Sequence, residues 1–442
     1  MRFQSIVLES ILKNKVINNA AWIIGCRIIQ SLLSLIVGMM SARFLGPSNY
    51  GLINYAASIV GFAIPLMRLG LHCILVQDIA NDEKNEGKIL GTALGLTIPS
   101  SLIGILGIVG FVFFANAGEK DTLIVCSIYS LSLVFQASEM ITYWYQAKLL
   151  SKYPSIAMVI GYIIVSAYKI FLLVTGKSVY WFAAASAIEH LVISAILMFL
   201  YVVLGKNRLS FSFKTAGRML SKSKYYIISG MMVTVLQQTD KLMLKNLIGD
   251  TATGYYAAAV TCAGIFGFVY AAIIDSMRPE ILKNKKNSKE KYENSISLAY
   301  GIIFYASLIQ CVALCLLAKP MVYLLYGEAY LPAVLSLRTV VWFVTFSYFG
   351  SIRSIWILAE EKHKYVIWID CMGAVLNILL NYLLIPIMGI IGAAVASVIT
   401  QFFMNFVIGF LITPLRANNL LMLKGINPYF TWKQVKTMLK NK

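Results

Sequence analysis

Residues 22–51 read WIIGCRIIQSLLSLIVGMMSARFLGPSNYG. From Trp22 to Met40 the run is apolar except for Arg27, Gln30, Ser31 and Ser34. A helix of that kind crosses the hydrocarbon of a bilayer, which takes about 20 residues at 1.5 Å of rise each. Gly46-Pro47 then supplies the turn that sends the chain back. A second apolar run, Leu52–Val76, follows at once and holds Arg68. A guanidinium stays charged at any physiological pH, and near the bilayer centre it costs about 2.5–3.5 kcal/mol on the mildest scale. Two such charges in the first two spans point to a polar, positively charged cavity, the environment that an anionic cargo needs.

The rest of the chain has the same character. Of 442 residues 59% are hydrophobic and only 13% charged, yet the net charge is +19 and the mean hydropathy is +0.76. Such a surplus of Lys and Arg in so apolar a chain fits a polytopic membrane protein. It argues against a nucleic-acid binder, which would gather its basic residues on polar domains. The opening 19 residues lack the apolar core and cleavage site of a signal peptide. Ile6, Ile11 and Leu12 against Lys13 and Lys15 suggest either a short surface helix or a tether. The seven cysteines are read as reduced packing residues, because Cys311 and Cys315, although on one helix face, have no His or carboxylate partners for a metal.

Apolar runs predict twelve spans, at about 18–43, 52–76, 91–114, 122–146, 155–175, 179–204, 224–247, 254–277, 295–318, 334–358, 365–386 and 391–412. The termini and alternate connectors carry 27 Lys and Arg, whereas the opposite connectors carry only Arg43, Lys120, Lys177 and Lys319. That asymmetry puts both termini in the cytoplasm. Leu45-Gly46-Pro47-Ser48-Asn49-Tyr50-Gly51 and Ile248-Gly249-Asp250-Thr251-Ala252-Thr253-Gly254 share an apolar-Gly-x4-Gly pattern, shifted by 203 residues. The expected fold is all-α, with two six-helix lobes related by a pseudo-twofold axis. A first lobe at 1–204, a cytoplasmic linker at 205–223, a second lobe at 224–412 and a basic cytoplasmic tail at 413–442 make up the chain.

Ala42-Arg43-Phe44-Leu45-Gly46-Pro47-x-x-Tyr50-Gly51, after a span with a buried Arg, resembles the opening of bacterial polysaccharide transporters. These are the O-antigen and capsule repeat-unit flippases (Wzx-type) of the multidrug/oligosaccharidyl-lipid/polysaccharide exporter superfamily. Ile385-Pro386-x-x-Gly389-Ile390-x-Gly392-Ala393-Ala394 resembles the same family's final hairpin. The resemblance covers essentially the whole chain. It implies a non-enzymatic protein of the bacterial inner membrane that moves undecaprenyl-pyrophosphate-linked oligosaccharide from the cytoplasmic to the periplasmic leaflet by alternating access. It also implies partners among other polysaccharide-assembly proteins, and no cofactor beyond a coupling proton or sodium ion.

Charges inside spans are the site candidates, because a charge in lipid must be used or neutralised. Counted from mid-span, Arg27 and Arg68 both lie about 6 Å to the cytoplasmic side of the midplane. Two guanidiniums at one depth suit a diphosphate; the alternative is that they pair with Glu139. Gln237, Lys241 and Lys245 form a stripe in span seven. Lys241 either contacts an anion or pairs with Asp240 or Glu189, and Lys245 is expected to snorkel to the periplasmic surface. Lys169 and Glu189 are either an ion pair or a cargo contact and a proton carrier. Asp275 and Asp370 are placed as gate residues with Arg278 and Arg353 as partners. Arg338 begins span ten and is read as interfacial. His72 and His190 are read as helix-packing residues. Tyr143, Trp144 and Tyr145 are read as an aromatic belt rather than a glycan path.

Two other functions remain open. A drug or cation exporter of the same superfamily would favour open carboxylates, and seven Lys and Arg inside spans disfavour a cation path. A membrane polysaccharide polymerase or glycosyltransferase would need a sizeable catalytic loop, and the connectors are short.

Overall fold

The structure, a computed structural model, describes residues 15–205 and 207–440; the surface helix expected around Ile6, Ile11 and Leu12 lies outside the described residues. Among the described residues every regular element is a helix. In lipid this follows directly, because a helix satisfies its own backbone groups without water. Among the described residues nine helices are long and apolar enough to cross a bilayer, and Asp250–Ala263 with Gly267–Asn287 makes a tenth span bent by 44°. The first of the nine, Gly25–Arg68, is broken at Gly46 into two. Phe213–Leu247 is long enough to cross but more polar than these spans. Counting both, each of the twelve predicted spans has its helix.

Gly46 and Gly249, paired by the sequence repeat, adopt the same unusual backbone: φ 71° and 130°, with ψ extended at 171° and −178°. Only glycine enters this region without strain. No atom lies within 4 Å of where a Cβ would stand on either residue, so an added methyl group would meet strain and no clash. Gly46→Ala and Gly249→Ala are therefore each expected to destabilise by about 1–3 kcal/mol. Gly38→Ala, inside a helix with equally open space, should be neutral or stabilising. Fluorescence-detected size exclusion after heating ranks the three, and equal losses would contradict the strain argument.

The chain forms two compact units, Met1–Gln238 and Thr239–Lys442. The division falls within Phe213–Leu247, past the 205–223 linker where the sequence suggested it. In the first unit the linker is not a free tether. Gly87, Gly91 and Gly95 recur every four residues on one face of Glu86–Ala115. A Cβ on them would approach Arg208 O, Ser210 N and the Phe211 ring to 2.4–2.6 Å. Ser210 N donates to Gly87 O at 3.3 Å, and Ser212 N to Thr92 Oγ1 at 3.1 Å. Nearby, buried Asp78 accepts from Lys222 at 3.2 Å and lies 3.8 Å from Arg218. Lys148 bridges Glu86 at 2.9 Å and Glu83 at 3.4 Å. Its hydrogen bond to Glu86 raises the lysine above its ordinary range. Beneath these polar ties lies an apolar core that includes Leu71, Leu75, Ile89, Trp144 and Tyr145.

In the second unit the basic tail is helical, as Arg416–Ile426 and Pro428–Lys440. It docks on Lys289–Tyr326, where Tyr300 donates to Asn418 Oδ1 at 3.0 Å and Tyr305 to Ile426 O at 2.6 Å.

Candidate functional site

In the first unit the polar interior is built by the segment Lys120–Ala147 with Lys152–Val174 and Val179–Leu204. A 3-10 turn, Glu139–Ile141, interrupts the first of these and presents Glu139. Its carboxylate meets His190 Nδ1 at 2.7 Å, with both side chains largely buried. This corrects one expectation: Glu139 is not the partner of Arg27 or Arg68, whereas His190 makes the helix-to-helix polar pair expected of a packing residue. Beside this pair Lys169, Glu189, Tyr129 and Tyr162 line a cavity of about 310 Å³. Lys169 and Glu189 form no ion pair, although each feels the other's charge.

Arg68 is the last residue of its helix. Leu69 and Gly70 follow with left-handed φ, so the second span ends there rather than at Val76. Arg27 precedes Gly46 by 19 residues and Arg68 follows it by 22. At 1.5 Å per residue the two lie about 28 and 33 Å from that turn. The hydrocarbon is about 30 Å thick, so both sit nearer its far boundary than the expected 6 Å from the midplane. Neither has an ion pair among the described residues. Arg68 is close enough to His72, Tyr143 and His190 to act on them electrostatically.

In the second unit Asp240 is the centre. It is 6% exposed and takes hydrogen bonds from four neutral side chains. Tyr256 donates to Oδ2 at 2.5 Å and Ser397 donates to the same oxygen. Asn381 donates to Oδ1 at 2.7 Å and Asn377 at 3.2 Å. Lys241, one residue on, makes no ion pair with it. Lys245 does not snorkel; it is buried on Asp250 at 2.8 Å. Arg353 does not pair with Asp370, whose charge it only feels. Its Nη1 instead donates to Met404 O, in the π-helical turn Phe403–Val407. That turn releases carbonyls from the α-helical ladder, and Asn419 caps another, Phe406 O, at 2.5 Å. Asp275 lies 3.9 Å from Arg278 on an exposed face. Arg338 is exposed, and its Nε donates to Cys315 O at 3.1 Å.

The sequence profile of the polysaccharide biosynthesis protein family matches residues 16–284. The chain belongs to this family. It is 23% identical over 402 residues to a Shigella flexneri protein assigned as an O-antigen transporter, covering 86% of this chain and 94% of that one. Its fold is similar to an inward-facing structure of a multidrug resistance MATE family transporter of the MOP superfamily. There the TM-score is 0.69 at 17% identity, with 88% and 94% of the two chains covered. A mutant of a Vibrio cholerae MATE transporter aligns with a TM-score of 0.63 at 13% identity, over 95% and 99%. The family member described here thus has a MOP-type helical fold and is a multi-pass membrane protein.

Other features of this family member were not legible as charges. Asn377 and Asn381, one turn apart in an apolar span, and Ser397 and Tyr256 carry no charge at neutral pH; an i, i+4 amide pair in lipid was the available signal. Trp144 and Tyr145 are buried in the core, so they belong neither to a belt nor to a glycan path. Trp181, Trp342 and Trp432 are exposed, as a belt requires. Trp22 carries the Lys152 ammonium over its ring at 5.0 Å.

Proposed function

We propose that this protein moves an undecaprenyl-pyrophosphate-linked oligosaccharide from the cytoplasmic to the periplasmic leaflet of the bacterial inner membrane, by alternating access and with both termini cytoplasmic. The observation that carries the reading is the division of charges in a polysaccharide-biosynthesis family member. The cations Arg27, Arg68, Lys169 and Lys241 have no ion-pair partner among the described residues, whereas Glu139 and Asp240 are engaged by protein donors. Unpaired guanidiniums suit a pyrophosphate through bidentate, charge-assisted bonds. A bulky cationic drug would find Glu139 held by His190 and Asp240 buried among its donors, out of its reach.

Coupling to a proton or sodium ion belongs to the same proposal, with Asp240 as its seat. The carboxylate is buried without a cationic partner in contact, and the side-chain oxygens of Asn377 and Asn381 beside it are buried with no hydrogen bond. Carboxylate and amide oxygens together suit a small hard cation. Glu189, facing the cavity of the first unit, is the second candidate for carrying a proton.

The test is a proteoliposome assay in which a glycosidase outside the vesicles reports arrival of a lipid-linked oligosaccharide. Protein-dependent arrival is expected, faster with an imposed sodium or proton gradient. Efflux of a cationic dye with no glycan movement would favour the multidrug reading. Sugar transfer by the purified protein would favour a polymerase or glycosyltransferase.

A further inference from the structure

The two C-terminal helices carry a surface that lies outside the candidate sites described above. From Thr413 to Lys442 there are six Lys and Arg and no Asp or Glu. On Pro428–Lys440 the inward side is anchored by Thr431, buried and donating to Gly425 O at 2.6 Å. Tyr429, Trp432, Lys433 and Lys436 lie together on the opposite side, within an arc of about 100° at 100° per residue. Tyr429 and Trp432 are 76% and 72% exposed, and both lysines are exposed and form no ion pair among the described residues. The neighbouring helix adds exposed Leu420 and Leu423.

The height of this surface is set by its docking. Asn418 and Ile426 are held by Tyr300 and Tyr305, which begin the apolar part of Lys289–Tyr326. The helices therefore lie at the boundary between hydrocarbon and water. There, amphipathic rings settle among headgroups and lysines attract anionic ones.

We propose that this face binds the anionic phospholipid headgroups of the surrounding bilayer, with Trp432 and Tyr429 at the headgroup level and Lys433 and Lys436 supplying the charge selectivity. The occupant is lipid because the face combines unpaired positive charge with interfacial aromatics and is fixed at the membrane boundary.

The full-length protein in nanodiscs tests this directly. Trp432 emission, isolated by subtracting a Trp432→Phe variant, is measured with brominated phosphatidylglycerol or brominated phosphatidylcholine as quencher. Stronger quenching by the anionic lipid is expected. The preference should fall about fivefold for each of Lys433→Gln and Lys436→Gln and shrink as salt rises. Equal quenching by both lipids, or a preference untouched by the double variant and by salt, would overturn the proposal. The salt series needs only the unaltered chain, so it decides even if a variant misfolds. No lipid-linked glycan enters the measurement, so its outcome is separate from the transport reading.

Discussion

Arg68→Ala is expected to leave the protein folded and inserted, while surface polysaccharide in a strain depending on it falls to near the level of a strain without the protein. The reason is the missing partner. Arg68 forms no ion pair among the described residues, so its removal strands no carboxylate and should cost little stability. A pyrophosphate would lose two charge-assisted hydrogen bonds, each about 1.5–3 kcal/mol, which together amount to roughly a hundredfold or more in transport. Arg68→Lys separates charge from geometry. If the fork is what grips the phosphates, lysine should be nearly as damaging as alanine. Arg27→Ala should behave likewise, since Arg27 is exposed and equally unpaired. Polysaccharide at wild-type levels in both alanine variants, with protein present in the membrane, would end the cargo role of these residues.

Asp240→Ala should act in the opposite way, on the fold itself. Four buried donors, from Tyr256, Ser397, Asn377 and Asn381, converge on this carboxylate. Each donor left unsatisfied costs about 1–3 kcal/mol. Relaxation recovers part of that sum, leaving an expected loss of about 3–5 kcal/mol. Asp240→Asn keeps one accepting oxygen and should fall between the two. Thermal unfolding of the purified protein in detergent gives the ranking wild type, Asn, Ala. An alanine variant as stable as the parent would mean that the four donors find other partners and that Asp240 does not organise the second unit.

The two experiments differ because the two charges differ, and that difference was invisible in the sequence. Arg68 and Asp240 are each a charge inside a predicted span, Asp240 with Lys241 beside it in sequence. Periodicity places them on a helix, and the lipid cost marks both as important. What it does not supply is the partner. Glu139 was the obvious counter-charge for Arg27 and Arg68 by depth along neighbouring spans, yet the carboxylate turns to His190, 51 residues away. The break of the second span at Leu69 was also missed. Apolar residues run on to Val76, but left-handed φ at Leu69 and Gly70 ends the helix at Arg68. Hydropathy records where a chain prefers lipid and says nothing of where its backbone turns. The lysines of span seven show the same limit. Lys245 had the length to snorkel, but a carboxylate five residues on, at Asp250, holds it inside at 2.8 Å.

The sequence by itself determined the helical class, the number and rough placing of the spans, the family resemblance and the repeat. The first two follow because lipid imposes the same requirement on every 20 residues, and that requirement is local and additive. The repeat followed from Gly46 and Gly249, because only glycine takes the backbone that both positions need. Tertiary structure alone decided which buried charges are spoken for. Asp240 is held by groups 16, 137, 141 and 157 residues along the chain. An electrostatic or hydrogen-bonding partner is set by separation in space, which no spacing along the chain encodes.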